Sequence, residues 1–259
     1  MLLTYSNNCR ELAANLTVVI LTKNEEKNIT SVIQNAMQVT DKVLIVDSGS
    51  TDKTVELAKD NAAKVIYRAW DDDFAAQRNF ALEHVHTKWV LYLDADERMD
   101  LELSIAIVNA VKDSKEAMYR IKRYNNAFGK SFRYGVLAPD SVVRLFPKDK
   151  VLWQDKVHER PVANIPIITL NGALEHYTYS SFEQYIDKMN MYSSIAAQNY
   201  KANNKTVNVH KDLVFRPIFA FVKMYVLKRG FLEGWLGFVL CLNYANYTLN
   251  KYVKLKLLK

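Results

Sequence analysis

The sequence predicts an α/β protein built around a mostly parallel central sheet with a helical C-terminal extension, and three observations predict it. Short continuous apolar runs bounded by turn residues recur at 16–21, 42–47, 63–68 and 88–94. Segments of helical length and period lie between them, including 28–39 and 51–63. Such alternation implies parallel strands covered on both faces. Polar residues gather after each run: TKNEE, DSGSTDKT, WDDDFAAQRN and DADE in turn. Ligands of such sheets bind beyond the carboxyl ends of the strands, so these four segments share one functional edge.

The bulk numbers agree with a globular chain. The 259 residues are 49% hydrophobic and 24% charged, enough for one large domain or one domain with appendages. Cys9 and Cys241 match no metal-ligand spacing, which disfavours a disulfide framework and points to a reducing compartment. The opening MLLTYSNNCRELAAN lacks the basic start and apolar run of a signal peptide, so a cytoplasmic location is expected. The net charge of +7 is concentrated: residues 211–259 hold nine lysines and arginines against Asp212 and Glu233. A basic, aromatic-rich tail suits nucleic acid or an anionic membrane surface. Nothing like an RNA-recognition motif accompanies it, so nucleic acid is disfavoured.

Taken in order, each strand end offers chemistry. Thr22, Asn24 and Glu25 follow the first strand and can contact a base or ribose, or belong to a solvated charge run. Asp47 closes the second strand before SGST, where Gly49 permits a turn; its carboxylate can accept a uracil imide N–H or simply cap that turn. The WDDDF stretch is either near a sugar or a solvated loop with an N-cap. Arg78 sits in a helical apolar pattern and can meet a base or a diphosphate, or snorkel over apolar neighbours. In LYLDADE, Asp94 and Asp96 point to the same side of an extended chain. Crowded carboxylates resist ionising together unless a cation or strong donors are present, and hard oxygen ligands suit Mg²⁺ or Mn²⁺ completed by water and phosphates. The competing reading is a capped, solvated strand end.

From about residue 117 the pattern changes. The stretch 118–135 reads as a hairpin with Gly129 near its turn, followed by a strand in SVVRLFP. A helix is expected over 181–200, and the Asn-rich 201–212 reads as a hinge before the tail. The division expected is a donor half at 1–116, an acceptor and catalytic half at 117–205, and a membrane-associating tail at 206–259.

The motifs VVILTKNEE, VDSGSTDKT, AAQRNFAL and LYLDADE, in this order over residues 16–97, resemble glycosyltransferase family 2. The resemblance implies a GT-A fold, a Rossmann-like nucleotide-sugar domain, and an inverting transferase that uses a divalent cation and a UDP-sugar. It implies that Thr22, Asn24, Glu25, Asp47 and Arg78 frame the nucleotide, with Asp94 near ribose and Asp96 on the metal.

Further along, WQDKVHERP places His158 beside Glu159. Transfer to an alcohol needs a base for the acceptor hydroxyl, and either residue can serve; the alternative is a surface glutamate paired with Arg160. His176, in ALEHYTY, can add an imidazole to the metal or contact a phosphate, or be a structural histidine. The whole-chain pattern, including EHYTYSSFEQYIDKMNMYS and KRGFLEGWLGF, resembles the bacterial branch that builds lipopolysaccharide or lipooligosaccharide core. That branch implies glucose transfer from UDP-glucose to an inner-core heptose on a lipid-linked acceptor, at the inner face of the cytoplasmic membrane. Transfer to a peptide side chain or polyprenyl phosphate, and a non-catalytic nucleotide-sugar or membrane scaffold, are the alternatives.

Overall fold

A computed structural model describes residues 13–155 and 159–258, which divide into two compact units. The first comprises residues up to 123 with 140–176; the second comprises 124–139 with 177 onwards.

The four apolar runs form strands β1 (Leu16–Thr22), β2 (Val43–Asp47), β3 (Lys64–Tyr67) and β4 (Trp89–Asp94), all pairing in parallel. Helices α1 (Ile29–Ala36), α2 (Thr54–Asp60) and α3 (Phe74–Glu83) make the crossovers. Side chains alternate between two cores, as a doubly covered strand requires. Val18, Ile20, Leu91 and Leu93 join one cluster with Ile29, Val32 and Ile33, while Val19, Val90 and Tyr92 join the other with Ala81 and Leu82.

The expectation of a mostly parallel sheet holds only for these four strands. The nine-stranded sheet runs β3-β2-β1-β4-β8-β6-β11-β5, with β7 beside β6. Here β5 is Glu97–Met99, β6 Met118–Ala127, β7 Lys130–Ser131, β8 Asp140–Pro147 and β11 Ile167–Tyr179. The β4–β8, β8–β6, β6–β7 and β11–β5 pairings are antiparallel. Parallel neighbours need a crossover of a dozen or so residues, and tight turns such as Phe128–Gly129 allow only antiparallel return. Both turn residues have positive φ, 54° and 72°, the conformation that two-residue hairpins favour. Helix α4 (Leu101–Asp113) covers the first cluster, capped by Asp100, whose carboxylate accepts from Leu103 N at 2.7 Å and from Ala173 N at 2.9 Å. Strands β9 (Leu152–Gln154) and β10 (Arg160–Val162) pair separately.

The second unit is mainly helical. Helix α5 (Phe182–Ala202) begins at the Ser181 cap, within two residues of the expected 181–200. The expected hinge at 201–212 is helical from Val209, because Asn208 caps Lys211 N and Asp212 Oδ2 accepts from Asn208 N, both at 2.9 Å. Wide π-type turns at Val209–Phe215 and Lys223–Leu227 flank α6 (Arg216–Val222), and α7 (Gly234–Leu257) closes the unit. Gly237 lets the chain approach closely: a Cβ there would lie 2.0 Å from Gly230 O.

Candidate active site

Thr22, Asp47, Tyr67 and Asp94 are the last residues of β1 to β4, so one sheet edge carries them all. Thr22 is opposite Asp47, and Asp47 opposite Tyr67, while Asp94 is opposite Leu21. The parallel register therefore delivers Thr22, Asp47 and Asp94 to one sheet edge, where ligands of such sheets bind.

Asp47 is buried and shapes its own turn. Its carboxylate accepts from Gly49 N at 2.9 Å, Ser50 N at 3.0 Å, Ser50 Oγ at 2.5 Å and Thr22 Oγ1 at 3.5 Å. These contacts fill the roughly four acceptor sites of a carboxylate, so a further donor would displace a hydroxyl. The capping role is thus present in full.

The loop after β1 is tied to the loop after β2. Asn24 N donates to Ser50 Oγ at 2.9 Å, Thr51 N to Asn24 Oδ1 at 2.8 Å, and Glu25 N to Thr54 Oγ1 at 2.7 Å. Glu26 N also donates to Asp52 Oδ2 at 3.2 Å. Asn24 adopts a φ of 57°, which asparagine tolerates well. Residues 24–26 of KNEEK are thus held in place, while Lys23, Asn24, Glu26 and Lys27 stay exposed as a solvated charge run would.

The WDDDF residues satisfy one another locally. Asp71 pairs with Arg68 at 2.8 Å, Asp72 accepts from Trp70 Nε1 at 2.8 Å, and Asp73 caps α3 through Ala76 N at 2.9 Å.

Arg78 does not snorkel at the surface: it is 3% exposed. Its guanidinium lies 4.7 Å from the Trp153 ring centroid and 5.4 Å from that of Tyr92. It donates to Asp94 Oδ1 at 3.0 Å, and from Nε and Nη2 to Glu159 Oε1 at 3.2 and 3.1 Å. Its Nη1 is buried and has no hydrogen-bond partner among the described residues. That nitrogen is the one donor of the group left for a ligand oxygen, the guanidinium charge being already shared by Asp94 and Glu159. Glu159 pairs with Arg78 rather than with Arg160, whose partner is Asp155 at 3.0 Å. His158 lies outside the described residues.

The acidic cluster resolves into separate roles. The strand ends at Asp94 and a turn occupies Ala95 and Asp96, so the two aspartates do not share one side of an extended chain as expected. Asp94 is held by Arg78 and by Arg144 from β8. Burial raises the Asp94 pKa, but the Arg144 and Arg78 guanidiniums outweigh it and hold the carboxyl well below its usual range. Glu97 is fully buried, accepting from Asp94 N, Arg123 Nη1 and Arg144 Nη2, each at 3.0 Å. Burial opposes the charge of Arg144, yet Asp94 and Glu97 lift its pKa above the ordinary arginine value. Strong donors thus stabilise the cluster. Arg144 and Arg123 escaped the sequence reading; the available signal was a lone arginine inside the apolar strand SVVRLF.

Asp96 faces elsewhere. His176 is in β11, opposite Glu97, and its Nε2 lies 3.3 Å from Asp96 Oδ2. No group of three or more potential ligands is assembled for a metal among the described residues. The Asp96 and His176 pair still fits a Mg²⁺ or Mn²⁺ that takes most of its shell from water and phosphate, whereas both Asp94 oxygens are occupied by arginine.

Residues 17–161 match the family model described as glycosyl transferase family 2. An uncharacterised glycosyltransferase of Rickettsia typhi is 31% identical over 255 residues, covering 93% of this chain and 86% of the relative. The lipopolysaccharide core biosynthesis glycosyltransferase LpsC of Rhizobium meliloti is 28% identical, covering 90% and 88%. Among solved structures, glucosyl-3-phosphoglycerate synthase of Mycobacterium tuberculosis with Mn²⁺, UDP-glucose and phosphoglyceric acid superposes with a TM-score of 0.47 at 15% identity, covering 78% of this chain and 85% of that one.

Proposed function

The chain belongs to glycosyl transferase family 2 and is a glycosyltransferase, and from that premise we propose that it moves glucose from UDP-glucose onto an inner-core heptose of a lipopolysaccharide or lipooligosaccharide acceptor, with inversion. The observation that carries the reading is Arg78, a buried side chain with an unused N–H that joins Asp94 at the β4 end to Glu159. The lipopolysaccharide core biosynthesis role named for the Rhizobium meliloti relative supports the acceptor class.

In this reading residues 1–116 form the donor-binding half. Thr22, Asn24, Glu25 and Asp47 line the base and ribose side, Asp94 lies near ribose, and Arg78 draws the diphosphate. Asp96 with His176 would hold Mg²⁺ or Mn²⁺, which when bound supplies neutralisation of charge on the departing diphosphate. Residues 117–205 meet the acceptor, and 206–259 associate with the inner face of the cytoplasmic membrane, where a lipid-linked acceptor resides.

Glu159 is the proposed base. Arg78 donates to its Oε1, so Oε2 is the oxygen that would take the acceptor proton. As the hydroxyl proton passes to Glu159, the oxygen bonds to the anomeric carbon. The bond from that carbon to the diphosphate oxygen breaks on the opposite face, and UDP leaves with the electron pair.

Thermal-shift screening of nucleotide sugars with and without Mn²⁺ tests the donor, since a ligand of the folded state raises its melting temperature. Asp96→Ala should abolish transfer while leaving the fold intact; normal turnover in that variant rejects its metal role. Glu159→Gln should bind donor yet lose transfer, and unchanged kinetics move the base to His158.

A further inference from the structure

The second unit carries an exposed apolar surface whose charge pattern the sequence does not disclose. Along α6 and its flanking wide turns, Phe215, Ile218, Phe219, Val222 and Val226 recur at helical spacing and are all exposed. Trp235, at the start of α7, is 74% exposed. These are the side chains a soluble surface ordinarily hides.

The two acids of residues 206–258 are both turned inward. Asp212 is buried and pairs with Arg216 at 2.6 Å. Glu233 is buried, pairs with Lys130 at 2.7 Å and accepts from Arg133 N and Tyr134 N at 2.8 and 2.9 Å. Lys211, Lys223, Lys228 and Arg229 remain exposed around the apolar residues. The face presented by this stretch is consequently apolar with a cationic rim and no exposed acid.

We propose that residues 211–235 are an interfacial anchor for a bilayer bearing anionic headgroups, with Phe215, Phe219 and Trp235 entering the acyl boundary. The proposal rests on, and deepens, the lipid-linked acceptor reading above. Charge complementarity selects the occupant: anionic headgroups match the rim, whereas a second copy of this chain would set cation against cation. The segment lies on the membrane rather than through it, since no described helix is long and apolar enough to cross one.

The test uses the full chain with vesicles of pure phosphatidylcholine or of phosphatidylcholine with phosphatidylglycerol. Binding is read by co-sedimentation at low and high salt, and insertion by quenching of tryptophan with brominated lipid. Expected are binding to the anionic vesicles only, weakened by salt, and quenching that is lost in Trp235→Phe. The triple variant Lys223→Glu/Lys228→Glu/Arg229→Glu should partition at least about 100-fold less, each removed cation contributing a factor of roughly five. Phe215→Ser/Phe219→Ser should weaken insertion with an unchanged melting temperature. Equal binding to both vesicles, no binding, or a concentration-dependent dimer that the phenylalanine variant abolishes would each overturn the anchor. Donor binding measured without vesicles keeps the two questions apart: donor binding without vesicle binding defeats the anchor alone, and the reverse defeats the donor reading.

Discussion

Replacing Arg144 with methionine keeps an extended apolar stem in β8 but removes the charge that Asp94 and Glu97 share. Removing one member of a buried ion pair costs about 3–5 kcal/mol, because the partner is left charged and dry. Here the lower end applies: Glu97 keeps Arg123 and the Asp94 N–H, and Asp94 keeps Arg78. A loss of about 3 kcal/mol is a large share of the roughly 5–15 kcal/mol that holds a domain folded. Urea unfolding followed by tryptophan fluorescence reads it, since Trp89 and Trp153 are buried in the first unit. Adding Glu97→Gln should be strongly non-additive, as the second change relieves part of the uncompensated charge left by the first. The effect also has a pH signature. Asp94 has a depressed pKa in the folded chain, so its contribution is full above the unfolded carboxyl value of about 3.9 and fades as pH falls towards the folded value. The stability gap between wild type and Arg144→Met should therefore narrow as the solution is acidified below about pH 4. A loss under about 1 kcal/mol at neutral pH, or simple additivity with Glu97→Gln, would refute the shared-charge reasoning.

Three further outcomes follow from other parts of the chain. Gly237→Ala sets a Cβ against the Gly230 backbone and should lower stability by roughly 1–3 kcal/mol, read as a drop in melting temperature. Cys241 is fully buried and burial pushes its thiol up to about 11, so in a Cys9→Ser background it should resist alkylation at pH 8 until denaturant is added. Asp73→Ala removes the cap of α3 and should cost about 1 kcal/mol in urea unfolding, with Asp73→Asn retaining most of it.

The parallel half of the sheet was legible because doubly covered strands are continuous apolar runs, and each ends in a polar residue where the edge meets solvent. The Gly129 hairpin and the helix beginning near 181 were legible from turn chemistry and period. What escaped depends on partners far apart in sequence. Arg144 lies 50 residues beyond Asp94 and Arg123 lies 26 beyond Glu97, and no local pattern pairs them. The extended-chain premise for Asp94 and Asp96 failed for a local reason, because the chain turns immediately after Asp94. The wide turns on either side of α6 also follow no residue preference that composition exposes.

The seam between the two loops that follow β1 and β2 has a thermodynamic corollary. Six hydrogen bonds stitch residues 24–26 to 50–54, so neither loop can open without the other. Their conformational freedom is surrendered when the protein folds, before any guest arrives. Amide exchange at Glu25 and Thr51 should accordingly share one opening rate, and a molecule lodging there would find its walls already standing.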